Sequence, residues 1–97
     1  MISLNFRFLI LLALFVVDSF GANVVNIDHR NIEEVLQKQP VLIEFFATWC
    51  KHCTNFAESY EDVAHKLQSH EFLTGKVDID ASPALAARFN VKSIPQF

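Results

Sequence analysis

Cys50 and Cys53 are the only cysteines in this 97-residue chain, and they enclose Lys51 and His52. On a helix, positions i and i+3 share a face, so two sulfurs at this spacing can join or part with little backbone movement. If the helix opens at Cys50, its unpaired N–H groups and the positive end of its dipole favour the thiolate there. Cys50 is then the nucleophile that attacks a disulfide, and Cys53, one turn further in, displaces the mixed disulfide that results. Run backwards, the same steps oxidise a dithiol. Lys51 and His52 can place positive charge beside the sulfur, although both are also compatible with plain solvated positions. A cationic His52 would stabilise the Cys50 thiolate and make the disulfide a stronger oxidant.

Two other uses of the cysteines compete. A disulfide closing so short a loop constrains the unfolded chain little, which argues against a purely stabilising bridge. A zinc site needs further ligands, and His65 and His70, five apart, do not complete a four-ligand set. Neither a metal nor a bound cofactor is expected.

Glu44 raises a separate question, because it lies inside "VLIEFFA" (41–47), an otherwise apolar run that leads to the cysteines. A carboxylate in such surroundings is costly unless paired or protonated, and burial raises its pKa. A group titrating nearer neutrality can take the proton from Cys53 when that thiol must attack. Lys76, on the next strand, would lie alongside Glu44 if the two strands pair. The alternative places Glu44 in solvent at a sheet edge.

These side chains need a scaffold, and the pattern supplies one. "NVVNI" (23–27) predicts a short strand, and "DHRNIEEVLQKQ" (28–39) a helix capped by Asp28, with Ile32, Val35 and Leu36 on its apolar stripe. Pro40 ends it. The run 41–47 has the unbroken apolarity of a strand covered on both faces. From Cys50 to about Ser69 the period becomes helical, with Phe56, Tyr60, Val63, Ala64 and Leu67 on one side. A strand is placed around Gly75 to Ile79. "SPALAARFN" (82–90) follows as a helix with Ser82 as cap, Pro83 at its first position, Leu85, Ala86 and Phe89 inward, and Asn90 as a left-handed close. Strand and helix alternate three times, which argues a layered α/β fold with at least one parallel strand pair.

The first residues read differently. Arg7 precedes an apolar stretch from Phe8 to Val17, and Ser19 and Gly21 suit a signal peptidase. Ten apolar residues rise only about 15 Å as a helix, roughly half a hydrocarbon core. Residues 1–21 are therefore read as a cleaved secretory signal, and 22–97 as the domain. A leader of this kind implies the endoplasmic reticulum lumen or secretion, where a cysteine pair can be oxidised. The formal net charge is −3. Without a basic cluster to neutralise phosphates, no nucleic acid is expected as a partner.

With these features in place, the chain resembles the thioredoxin superfamily, and within it the protein disulfide isomerase-type thioredoxin domains. The matching residues are "EFFATWCKHC" (44–53), "GKVDID" (75–80) and "FNVKSIP" (89–95). The resemblance implies that Trp49 shields the active site, that Cys50 attacks and Cys53 resolves, and that Glu44 with Lys76 forms a buried proton-relay pair. It also implies a cis Ile94–Pro95 bond packed against the disulfide, with the Ile94 backbone pairing to substrate polypeptide. Implied partners are cysteine-containing client polypeptides and an upstream thiol oxidase or glutathione. Two positions depart from the family pattern: Lys51 stands where glycine is usual, and Gln96 where threonine is commoner. The implied fold is a thioredoxin-like three-layer α/β arrangement in which βαβαβα is present and a final ββα is absent. On that expectation the chain is a domain cut short, with an apolar edge left beside the Glu44 strand. The function expected is thiol–disulfide exchange; the alternatives are a non-catalytic client-binding fragment, or part of a membrane-tethered thioredoxin-related protein.

Overall fold

The computed structural model describes residues 23–97, so the leader expected at 1–21 lies outside the described residues. The elements run β1 (Val25–Asn26), α1 (Ile32–Lys38), β2 (Val41–Phe46), α2 (Lys51–Gln68), β3 (Leu73–Asp78) and α3 (Pro83–Arg88). The sheet order is β1-β3-β2, and both pairs are parallel. Parallel neighbours need a crossover between them, and α2 supplies it for β2 and β3. Among the described residues no helix is long and apolar enough to cross a membrane.

Alternation of side chains along the strands divides the core in two. Val41, Ile43 and Phe45 of β2, with Ile27 and Val77, meet Ile32 and Val35 of α1 and Leu85 of α3. The Phe89 ring closes this side, its centroid 5.6 Å from that of Phe45. On the opposite face Leu42 and Val24 pack against Tyr60, Ala64 and Phe56 of α2. Three layers result: α1 and α3, then the sheet, then α2. This double cover is why residues 41–47 show so little polar alternation.

Tyr60 is almost fully buried, and its hydroxyl spans the two principal strands. The oxygen lies 2.6 Å from the Gly75 carbonyl and 3.2 Å from that of Leu42. Gly75, opposite both Val25 and Ile43, leaves the room that Ile27 fills. A β-carbon at that position would collide with the Ile27 side chain, approaching its Cγ1 to 2.9 Å and the Val25 carbonyl to 3.2 Å.

Several boundaries differ from expectation. α1 starts at Ile32, not Asp28, because the Asp28 carboxylate accepts from the Arg30 N–H and guanidinium, each at 2.8 Å, instead of capping. Asn31 occupies the cap position but turns its side chain back to Asp28 N–H and Asn26 O, 2.9 Å each. Leu36 and Val63 stay exposed, because each helix buries a narrower stripe: Ile32 and Val35 in one, Cys53, Tyr60 and Ala64 in the other. β1 contracts to two residues and β3 begins two residues before Gly75. Ser82 caps through its backbone, its carbonyl accepting from Leu85 and Ala86, and its side chain makes no cap bond. Asn90 does take a left-handed conformation, with φ 56°. So does Glu71, with φ 62°, where Phe72 N–H returns to Leu67 O to finish α2.

Because Ile27 is held in the core and cannot swing aside, Gly75→Ala is expected to cost about 1–3 kcal/mol of stability through overpacking. A lowered urea midpoint with an unchanged slope is the measurement that checks it.

Candidate functional site

β2 leads through Ala47, Thr48 and Trp49 to α2, and Cys50 occupies the cap position of that helix with extended backbone, φ −80° and ψ 111°. Its N–H donates to Ala47 O at 3.1 Å, and its carbonyl accepts from both Thr54 N–H and Thr54 Oγ1 at 3.1 Å. Cys50 and Cys53 are joined as a disulfide, their Cα atoms 5.2 Å apart. The backbone N–H of Cys53 donates to Cys50 Sγ at 3.1 Å. A donor that the helix leaves free at its head is thus aimed at the first sulfur, where it would serve a thiolate as well. With Ala47 the two cysteines form a buried cluster, against which Phe46, Ile79 and Ile94 pack.

Glu44 is inside the protein rather than at a solvated edge, only 3% exposed. The β2–β3 register sets it directly opposite Lys76. One carboxylate oxygen, Oε2, has no hydrogen-bond partner among the described residues. Burial pushes the Glu44 carboxyl above its ordinary value, with the positive charge of Lys76 pulling the other way. The Lys76 ammonium lies 5.3 Å from the centre of the Phe46 ring, so the ring face contributes to holding it. Burial also pushes the Tyr60 hydroxyl well above its usual range, and the Glu44 charge adds to this. A cavity of about 300 Å³ gathers these groups: Glu44, Cys53, Lys76, Tyr60 and Glu61 all line it.

The other sequence-derived residues fall around the disulfide. Lys51 and His52 are exposed on the first turn of α2. Trp49 is 68% exposed, yet its indole N–H donates to Asp80 Oδ2 at 2.7 Å. Nothing in the sequence pattern marks Asp80 as the tryptophan's partner, since only the fold brings the turn after β3 to the loop after β2. Ile94–Pro95 is cis, and Ile94 reaches the cysteine cluster. Gln96 then pairs antiparallel with Phe45 across the outer edge of β2. Among the described residues no group of three or more His, Cys, Asp and Glu side chains is placed to hold a metal.

A strand-borne buried carboxylate behind a helix-head cysteine pair, faced by a cis-proline loop, agrees with the family model for thioredoxin, which matches residues 23–97. The chain belongs to the thioredoxin family. It is similar to protein disulfide-isomerase erp38 of Neurospora crassa, 41% identical over 76 residues, which cover 74% of this chain and 21% of the relative. It is 32% identical over 97 residues to protein disulfide-isomerase 1 of Caenorhabditis elegans, covering 97% of this chain and 20% of that one. Among solved structures, the first thioredoxin domain of mouse protein disulfide-isomerase A4 superposes with a TM-score of 0.71 at 33% identity. That match covers 77% of this chain and 56% of the solved one. The chain thus spans about a fifth of the length of these curated relatives.

The raised carboxyl gives a sign to stability. Below the ordinary carboxylate value of 4.5 Glu44 is protonated whether folded or unfolded, and its burial carries no charge penalty. As pH rises past that value the unfolded chain ionises first, so the folded state loses stability until its own carboxyl ionises. Replacing Glu44 by Gln removes this loss. The stability of Glu44→Gln minus that of the parent is expected to grow as pH rises from 4 towards 8, measured by denaturant unfolding at each pH.

Proposed function

We propose that this domain is a thiol–disulfide oxidoreductase acting on cysteine-containing client polypeptides, with Cys50 as nucleophile and Cys53 as resolving thiol. The observation that carries the proposal is the Cys50–Cys53 disulfide at the head of α2, with Cys53 and the buried Glu44 lining one cavity. In the reducing direction the Cys50 thiolate attacks one sulfur of a client disulfide. A bond forms between Cys50 and the client, and the other client sulfur leaves as a thiolate. The Cys53 thiol gives its proton to the Glu44 carboxylate and attacks Cys50 Sγ. The mixed disulfide breaks, the second client sulfur departs, and the Cys50–Cys53 disulfide remains. The reverse sequence oxidises a client dithiol and leaves the pair reduced. If a client thiol displaces Cys50 before Cys53 acts, the client is isomerised with no net oxidation.

Each neighbouring residue has a part in this scheme. Lys76 supplies the positive charge that keeps Glu44 able to ionise. Lys51 and His52, exposed beside the attacking sulfur, tune its charge. Trp49, held by Asp80, covers the approach to Cys50. Ile94 and Pro95 present backbone for the client to pair with. Repeated oxidation needs an upstream thiol oxidase or oxidised glutathione to take the two electrons. The apolar run at 8–17 and the small residues at 19 and 21 support removal of residues 1–21, leaving a domain at 22–97 in the endoplasmic reticulum lumen or secreted.

The resolving step separates the two cysteines experimentally. Cys53→Ser is expected to accumulate a mixed disulfide between Cys50 and a client polypeptide, seen as a reductant-sensitive band on non-reducing gels. Cys50→Ser should give none. A soluble, folded Cys53→Ser chain that traps no client would sink the proposal in favour of a non-catalytic client-binding fragment.

A further inference from the structure

We propose that Gln96 is a positioning residue for client binding: its side-chain oxygen holds the loop 92–95 in the shape that presents Ile94 beside the Cys50–Cys53 disulfide. This deepens the oxidoreductase reading and rests on it.

Gln96 is tied down in two directions at once. Its backbone forms the antiparallel bridge to β2, with Phe45 N–H donating to Gln96 O at 2.7 Å and Gln96 N–H donating to Phe45 O at 3.2 Å. Its side chain turns back along the chain, where Oε1 accepts from Lys92 N–H at 3.0 Å and lies 3.5 Å from Ser93 N. The start of the loop is fixed separately, by the left-handed Asn90 and by Val91 N–H donating to Ala86 O at 3.0 Å. Between these anchors Lys92 and Ser93 are exposed. The Gln96 amide oxygen is therefore the internal clasp that joins the two ends of the turn. The turn carries Ile94, whose side chain packs on the cluster containing both sulfurs.

Reach explains why this work falls to glutamine. A threonine hydroxyl sits on Cβ and ends two bonds short of the Gln96 amide oxygen. A residue of that size could not close the same turn from position 96. The segment also abuts the proton-relay strand, since Phe45 follows Glu44 directly. Loosening the side-chain clasp leaves that backbone bridge in place. It would then widen the range of positions open to Ile94 without altering Cys50, Cys53 or Glu44. The cost falls on binding the client, not on the exchange of sulfurs.

Gln96→Met tests this, because methionine keeps the length of the side chain but has no comparable acceptor; Gln96→Glu keeps an oxygen at the same reach and serves as the rescue. The probe is the full chain reducing a synthetic peptide that contains one intrachain disulfide, with excess reduced glutathione returning the Cys50–Cys53 disulfide to the dithiol in each turnover. The expected result for Gln96→Met is a rise in KM of about fivefold, the size of one lost neutral hydrogen bond. Alongside it, kcat and the rate of Cys50 alkylation by iodoacetamide should stay within about twofold of the parent. Lys92 amide exchange should quicken in Gln96→Met, and Gln96→Glu should restore both KM and protection. A thermal midpoint for each variant verifies folding. An unchanged KM in a folded Gln96→Met chain overturns the proposal, as does a rise in KM that Gln96→Glu fails to reverse. A parent chain that does not reduce the peptide at all instead overturns the oxidoreductase reading, and this inference falls with it.

Discussion

The parallel ladder between β2 and β3 runs for six residue pairs, from Val41 opposite Leu73 to Phe46 opposite Asp78. It sets Glu44 against Lys76, and at its far end β2 passes into the loop that carries the cysteines, while β3 passes into the turn that carries Asp80. A slip of one residue along β2 would send Glu44 to the opposite face, against Ile27, Ile32 and Val77. The Tyr60 hydroxyl reaches carbonyls on both strands, so the helix that bears Cys53 is joined to the same ladder. Geometry at the sulfurs therefore depends on strand register, and that register is enforced by burial on both faces.

The buried charge is tolerable only because of where it sits. A fully isolated carboxylate in the interior would simply stay protonated, and one in strong contact with an ammonium would stay ionised. Glu44 lies between those limits, with burial as the larger influence and Lys76 opposing it. The same ammonium lies 5.3 Å from the centre of the Phe46 ring. In the proposed exchange that balance suits a proton acceptor behind Cys53, because it must be able both to take a proton and to lose it.

Much of this was legible in the residues alone. The strand–helix alternation, the double cover of 41–47 and the helix opening at Cys50 follow from periodicity and from residues with fixed conformational preferences. Pro83 and Asn90 fell where helix-end chemistry places them. Glu44 opposite Lys76 could be anticipated only as a conditional, because register is a property of two strands and not of either one. What stayed hidden depends on partners distant in sequence or on local competition. Asp28 reads as a helix cap until Arg30 engages its carboxylate, and Asp80 carries no sign of Trp49. Val63 and Leu36 fit the helical period but miss the narrow seam that the sheet offers. Gln96 reads as a departure from pattern, and nothing in the sequence tells that its side chain turns back to the Lys92 N–H.

Gln96 enters the sheet against the direction of β1, β3 and β2, so the wall that Ile94 builds beside the sulfurs comes from a segment far downstream of them. A ribosome delivers Cys50 and Cys53 well before it delivers that segment. Until that segment folds back against β2, Ile94 gives the two cysteines no cover. The apolar support that Ile94 gives the cysteine pair therefore forms only when the antiparallel bridge at Phe45 closes.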